Sequence, residues 1–389
     1  MDSFEFISPT KFILEKDAQK RCGNEVKRFS KNVLLVDYGG IKPYEAKLHS
    51  DVMQSLKDEG IEVYEIGGVE PNPKLSLVRK GIKICRDNNI GCVLAVGGGS
   101  VIDTAKAIAI GVKYEGDIWD FYSQKAAPQD ALPIGTVMTL PGTGSEGSNG
   151  SVIINDETGQ SADVMSDLLR PSFTLMNPEL TVTLPKEQSV YGIIDMFTHV
   201  LERYFSSSKD AVLTDHLCEA VMKSVIQNSK SFLEDASDIN MRSEFMWTAV
   251  IAHNGLLATG RSQDWSTHMM VAPISATYGS THGATLAVMF PHWARYVYKN
   301  NVPRFVQFAS RVFGEEVNYD HPEKTALEGI ERMQDFFTSL NAPTSLSEIG
   351  VKDDSEFENM AKSATRFGPI GNIRALDAQD VVKIYRSAL

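Results

Sequence analysis

The stretch that decides the fold is Cys92-Val93-Leu94-Ala95-Val96-Gly97-Gly98-Gly99-Ser100-Val101-Ile102-Asp103-Thr104-Ala105-Lys106. An apolar run breaks at three glycines and a serine, and a helical pattern opens directly behind them. A short apolar run stopped by glycine reads as a buried strand. Glycines without Cβ let the backbone approach a phosphate closely. A helix N-terminus adds unpaired N–H donors and a positive partial charge. The same residues also suit a tight strand-to-helix turn with no ligand. They match neither G-x-G-x-x-G nor the P-loop pattern, so alone they leave the two readings level.

Working outward, residues 32–37 and 62–66 read as two more short strands, and the turn Tyr38-Gly39-Gly40 follows the first. Residues 46–59 have helical spacing, with Leu48, Val52 and Leu56 on one face. Residues 75–88 do too, with Leu75, Val78, Ile82 and Cys85 in register. Strands alternating with helices at this spacing predict a parallel sheet with helices on its faces. A further apolar run, 134–138, leads into Thr139-Leu140-Pro141-Gly142-Thr143-Gly144-Ser145-Glu146. Its hydroxyls and amides suit ribose and phosphate oxygens, although such a composition more often makes a surface turn. Beyond Leu184-Pro185 the pattern turns helical, with long stretches at 190–205, 211–233, 242–258 and 284–298. Residues 317–324 read as a polar loop. The expected division is an α/β domain over 1–184 and an all-α domain over 185–389.

The chain has 389 residues, 42% hydrophobic and 23% charged, enough for two ordinary domains with cores of their own. A formal net charge of −12 argues against nucleic acid or an anionic membrane as partner. The four cysteines, Cys22, Cys85, Cys92 and Cys218, are scattered and form no C-x-x-C pair, which fits free thiols in a reducing compartment. Residues 1–11 show no basic stretch followed by an apolar run, and no stretch has the length of a membrane span. The expectation is a cytoplasmic protein.

Asp195 and His199 lie four apart in Tyr191-Gly192-Ile193-Ile194-Asp195-Met196-Phe197-Thr198-His199-Val200-Leu201-Glu202. That spacing puts both on one helix face, among apolar neighbours that predict a buried helix. A buried carboxylate and imidazole need partners, and a divalent cation is one. As an isolated pair they would more often be a simple hydrogen-bonded couple. His268 and His282, the latter just before a helical run, add to them. A helix N-terminus disfavours imidazolium and leaves the neutral, metal-binding ring. Three imidazoles and a carboxylate suit Fe²⁺ or Zn²⁺ rather than Mg²⁺ or Ca²⁺.

In their order, G-G-G-S-V-I-D-T-A-K (97–106), T-G-S-E (143–146), N-P-E-L-T (177–181), Asp195-x3-His199-x2-Glu202 and His268-x13-His282-Gly283 resemble the iron-containing, group III alcohol dehydrogenases. Tyr38-Gly39-Gly40 and Glu70-Pro71-Asn72-Pro73 are most similar to the butanol dehydrogenase and NADPH-dependent aldehyde reductase branch. The resemblance implies a Rossmann-like, dinucleotide-binding α/β domain followed by an all-helical metal-binding domain. It implies one Fe²⁺ or Zn²⁺ per chain on Asp195, His199, His268 and His282. It puts Gly97, Gly98, Gly99 and Ser100, with Asp103 behind them, at the pyrophosphate. Thr139, Thr143 and Ser145 then meet the nucleotide, and Leu180 lies near the adenine. A homodimer is typical, often with the N-terminal strand, here residues 5–14, at its interface. The implied reaction moves a hydride between NAD(P)(H) and a small alcohol or aldehyde.

Three departures qualify the resemblance. Many relatives place a proton-relaying histidine where this chain has Ala272, so water or Tyr278 would take that part. A lysine often found near the cofactor is replaced by Ser161. The usual Y-G-G-G-S reads here Tyr38-Gly39-Gly40-Ile41-Lys42. Asp37 would accept ribose hydroxyls and repel a 2′-phosphate, whereas Gly39, Gly40 and Lys42 would admit one, and the branch resemblance tilts the choice of NADP or NAD toward NADP. Glu202 reads as the partner orienting His199. The competing readings are a glycerol dehydrogenase-like or dehydroquinate synthase-like enzyme of the same fold, and a non-catalytic relative that binds nucleotide and metal.

Overall fold

The computed structural model describes residues 1–39 and 46–389; Gly40, Ile41 and Lys42 lie outside the described residues. The chain forms two compact units. One comprises Ile7–Pro185 and Asp235–Asn254. The other comprises Met1–Phe6, Lys186–Glu234 and Gly255–Leu389.

The first unit is α/β. Its strands are β1 (Lys11–Leu14), β2 (Asn32–Val36), β3 (Glu62–Ile66), β4 (Cys92–Gly97), β5 (Ile134–Met138), β6 (Gly150–Asn155), β7 (Gln160–Met165) and β8 (Phe173–Met176). Its helices are α1 (Cys22–Val26), α2 (Ala46–Asp58), α3 (Leu75–Asp87), α4 (Gly99–Val112) and α5 (Trp119–Tyr122). Six strands form one parallel sheet in the order β1-β8-β5-β4-β2-β3. Successive side chains of a strand face opposite ways. Leu34 and Val36 therefore meet Val78 and Ile82 of α3 and Val101 of α4, while Val33 and Leu35 meet Leu48, Val52 and Leu56 of α2. With both faces covered, β4 is buried at every residue, the expected state of a parallel strand. The helical faces read from the sequence are the ones that face these cores.

The order of the strands fixes where a ligand can sit. The chain leaves β2 toward β3, then crosses back to place β4 on the other side of β2. Open parallel sheets bind ligands outside the carboxyl ends of their strands at such a reversal. Here those ends are the residues after Val36 and after Gly97.

Several boundaries differ from the sequence reading. The first strand is Lys11–Leu14 rather than residues 5–14; Pro9 has no N–H to give to a ladder. β6 and β7 form an antiparallel hairpin that the sequence pattern does not announce. It buries Ile153, Ala162 and Val164 in the same core as α4. The helix expected at 242–258 is α8 (Ile239–His253) and belongs with the first unit. Asp238 starts it early by accepting from the Met241 N–H at 3.0 Å. Gly255, in the left-handed region at φ 96°, follows its end.

Away from Met1–Phe6, the second unit is helical: α6 (Lys186–Tyr204), α7 (Val212–Glu234), α9 (Ser266–Tyr278), α10 (His282–Val297), α11 (Val302–Phe308), α12 (Pro322–Ser339), α13 (Phe357–Ala364) and α14 (Ala378–Ala388). α12 takes up the end of the expected 317–324 loop, since Pro322 suits a first helical position. No described helix is long and apolar enough to cross a membrane.

Gly135 tests the packing of the sheet. A Cβ there would lie 2.2 Å from the ring of Phe173, itself 1% exposed on β8. Gly135→Ala is expected to cost about 1–3 kcal/mol by overpacking, read as a lower denaturant midpoint; an unchanged midpoint would show the ring is free to move.

Candidate metal centre and nucleotide loops

In the second unit α6 is buried along nearly its whole length, with Val190, Ile193, Ile194, Met196, Phe197, Val200 and Leu201 in the core. A helix apolar all round needs a neighbour on every side, and α7 and α10 pack against it. Gly283 allows the close approach of α10: a Cβ there would lie 2.3 Å from the Tyr191 carbonyl oxygen. His282, the first residue of α10, is thereby brought beside α6. His268 comes from the first turn of α9, which packs on α10.

These elements converge on one carboxylate oxygen. The Nε2 atoms of His199, His268 and His282 lie 3.7, 3.8 and 3.7 Å from Asp195 Oδ1. The ligand atoms of Asp195, His268 and His282 are all within 4.8 Å of one another. These are not hydrogen-bond distances. Asp195 Oδ1 and His268 Nε2 are both buried without a hydrogen-bond partner, a costly state that a native site does not keep without a reason. Bonds of about 2.1 Å to a tetrahedral ion would space its ligands about 3.4 Å apart, near what is seen. The donor set and the two orphaned atoms therefore fit a divalent transition metal.

The surroundings set the imidazoles. His268 donates its backbone N–H to Glu202 Oε1 at 3.1 Å, and its Nδ1 lies 2.7 Å from the same oxygen. Glu202 is thus the partner of His268, not of His199 as its spacing on α6 suggested, because the start of α9 passes directly over it. Burial works against the charged form of His268, but the Asp195 and Glu202 carboxylates outweigh it and hold its pKa above the usual histidine value. His282 goes the other way. Burial, with His268 against it and Asp195 opposing, pushes it down to about 4, so near neutrality it is the neutral ring that a metal needs. His199 stacks on His268 with ring centroids 4.8 Å apart. Trp265 closes the cluster, with centroids 5.1 Å from His268 and 5.9 Å from His199, and the Arg203 guanidinium lies 4.8 Å over its ring. Trp265 has φ 62°, a left-handed conformation uncommon for a bulky residue. Asp264 anchors it from behind. Its carboxylate accepts from the N–H groups of Ser266, Asn372 and Ile373 at 3.1, 2.7 and 2.8 Å. Burial, then the Glu202 charge, pushes that carboxyl up to about 6.

In the first unit the loops at the strand reversal meet. The Gly98 N–H donates to the Tyr38 hydroxyl at 3.2 Å, and the Gly39 N–H to Asp37 Oδ1 at 2.8 Å. Side chains are excluded here: a Cβ on Gly97 would lie 2.6 Å from Val101, one on Gly98 3.0 Å from the Tyr38 oxygen, and one on Gly99 2.6 Å from Thr143. The Thr139 N–H donates to the Gly97 carbonyl at 3.2 Å. Ser100 lies in the first turn of α4, and Leu180 packs against the core formed with α2. Asp103 and Ser145 are engaged with each other. The Ser145 hydroxyl donates to Asp103 Oδ1 at 2.6 Å, and the Val152 N–H to Oδ2 at 2.9 Å. The loop containing Thr143 is no surface turn, since Ser145, Glu146 and Ser148 are buried.

Two models of one family cover most of the chain. Iron-containing alcohol dehydrogenase matches residues 9–178, and the C-terminal domain of the Fe-containing alcohol dehydrogenase family matches residues 189–389. The chain belongs to the iron-containing alcohol dehydrogenase family. It is 41% identical over 389 residues, the whole of both chains, to the probable NADH-dependent butanol dehydrogenase 1 of Bacillus subtilis (strain 168). It is 31% identical to the NADPH-dependent aldehyde reductase YqhD of Escherichia coli (strain K12), over 95% of this chain and 94% of the relative. The crystal structure of NADH-dependent butanol dehydrogenase A from Thermotoga maritima superposes with a TM-score of 0.94 at 34% identity, covering 100% of this chain and 99% of that one.

Within this iron-containing alcohol dehydrogenase, Ala272 lies on α9 one turn beyond His268 and offers no titratable group. Tyr278 ends that helix; burial and the charges of Asp353 and Glu356 raise its phenol pKa. Sequence reasoning missed two residues that shape the sites. Lys106 is fully buried on α4, where its ammonium donates to Ser148 O, Ser148 Oγ and Gly150 O at 3.0, 3.1 and 2.8 Å. It ties the second loop to the helix that opens at the first. Burial pushes it down to about 8, against the Asp103 and Glu146 charges. The apolar residues on both sides of it were the available signal. Trp265 had none, because its backbone conformation is set by the packing around it. Gly283→Ala is expected to force α10 off α6, lowering stability by about 1–3 kcal/mol and metal content with it. Metal analysis beside a melting curve checks this, and full metal content at an unchanged midpoint would contradict it.

Proposed function

We propose that the chain is a metal-dependent reductase of short aldehydes, working reversibly as a primary alcohol dehydrogenase, with NADH as its nucleotide. The observation that carries the reading is the convergence of three imidazole nitrogens on the buried Asp195 oxygen. Asp195, His199, His268 and His282 would hold Fe²⁺ or Zn²⁺. When bound, the ion supplies Lewis acidity at the substrate oxygen and the nicotinamide supplies or takes the hydride.

The protein's own part is to hold and orient. Gly97, Gly98 and Gly99 leave room for the diphosphate, and the first turn of α4, with Ser100, turns its N–H groups toward it. Thr139 and Thr143 border the same space. Asp103 and Ser145 serve by bracing the loop. Asp37, at the carboxyl end of β2, would accept ribose hydroxyls and repel a 2′-phosphate. The relatives named for NADH, at 41% and 39% identity, point the same way and outweigh the tilt toward NADP that the branch resemblance gave. A homodimer fits this reading: β1 is an edge strand of its sheet, and Ile7 and Leu14 of the same unit are exposed.

The test strips the protein with chelator, reloads it with Fe²⁺ or Zn²⁺ without oxygen, and follows NADH and NADPH consumption with short aldehydes. Turnover is expected only with metal; turnover without it, or none with any pairing, would refute the reading. Removing the Asp37 charge in Asp37→Gly is expected to raise kcat/KM with NADPH relative to NADH about tenfold or more. An unchanged ratio would remove Asp37 from nucleotide choice.

A further inference from the structure

The carboxylate of Glu202 is fully buried, and among the described residues no lysine or arginine pairs with it; its ion-pair partner is His268. One oxygen accepts from the backbone N–H of His268 and faces His268 Nδ1 at 2.7 Å. The other, Oε2, is buried with no hydrogen-bond partner. Two hydrogen bonds do not compensate a buried carboxylate, and α6 would have kept its helical geometry with leucine at this place. Across the imidazole ring from this contact lies His268 Nε2, also buried and without a partner, 3.8 Å from Asp195 Oδ1.

We propose that Glu202 is the positioning residue of the metal centre: it holds His268 with the proton on Nδ1 and the Nε2 lone pair turned toward Asp195, and it supplies the second negative charge that balances a divalent ion. The inference rests on the metal reading above. The geometry supports both parts of the role. A carboxylate accepting from Nδ1–H fixes the tautomer and makes Nε2 a stronger donor. The second contact, to the His268 backbone, locks the residue's main chain as well as its ring, so the imidazole cannot turn away by a shift of α9. Asp264 strengthens the lock. Its N–H donates to the Glu202 carbonyl at 2.9 Å, and its carboxylate ties the same turn to Asn372 and Ile373. Two buried carboxylates, Asp195 and Glu202, then stand beside the three imidazoles, and together they carry the charge a divalent cation would cancel.

The experiment titrates chelator-treated wild type, Glu202→Gln and Glu202→Asp with Co²⁺ and reads its visible absorption, with NADH binding followed separately by fluorescence. Wild type comes first: if it takes up no Co²⁺ at one site per chain, the metal reading fails, and this inference with it. With wild-type binding established, Glu202→Gln is expected to bind Co²⁺ about 10–100-fold more weakly while NADH affinity is unchanged. Glu202→Asp, which keeps the charge but shortens the reach, is expected to fall between the two. Nitrogen-15 spectra of the zinc-loaded wild type should show His268 protonated at Nδ1. Equal Co²⁺ affinity in wild type and Glu202→Gln, or a His268 protonated at Nε2, would overturn the assignment. If Glu202→Gln does not fold, Glu202→Asp decides: wild-type Co²⁺ affinity in it counts against the role, and weakened affinity with an unshifted apo melting temperature counts for it.

Discussion

One constraint organises the helical unit: a buried carboxylate oxygen, Asp195 Oδ1, faced by three imidazole nitrogens at distances too long for hydrogen bonds and too short for indifference. Left alone, that arrangement is unfavourable, since buried polar atoms keep the cost of lost water unless they are paired. The rest of the unit is built to maintain it. Gly283 lets α10 press against α6. Trp265 holds a strained turn at the start of α9. Asp264 and Glu202 fasten that turn from below. Donors held at these distances around one buried oxygen fit a site for a divalent ion.

In the reading proposed for the α/β unit there is the same division between residues that would face a ligand and residues that hold the loops. Gly97, Gly98 and Gly99 keep the surface bare, each hemmed in by a neighbour that a Cβ would strike. Behind them Asp103 and Lys106, one turn apart on α4, reach to Ser145, Ser148, Gly150 and Val152 and fix the second loop against the first. The buried Lys106 ammonium, hydrogen-bonded to carbonyl and hydroxyl oxygens of that loop, is justified by the rigidity it gives.

Much of this was legible in the sequence. The parallel sheet followed from short apolar runs alternating with helical faces, and the residues named for those faces are the ones in the two cores. Asp195 and His199 declared themselves by a spacing of four. What stayed hidden depends on contacts between distant parts of the chain. Glu202 was visible as a charge three residues from His199, but its partner His268 comes from another helix, and helical spacing says nothing about that. α8 reads like any other helix of the second half, yet it belongs with the α/β unit, because its partners are chosen by packing. The hairpin β6–β7 escaped notice because its alternation is short and broken by polar residues. The residue types had already set His268 and His282 beside Asp195 and His199 as candidates, and the order of motifs that are each weak alone then implied the four as one ligand set.

The measurement that tests the central claim most directly is X-ray absorption of the metal-loaded protein at the iron or zinc edge. The account predicts a first shell of nitrogen and oxygen only, at about 2.0–2.2 Å, with the outer-shell scattering of three imidazoles. A sulfur shell near 2.3 Å, or a shell of oxygens without imidazole scattering, would place the ion elsewhere and leave the Asp195 cluster without the role given to it.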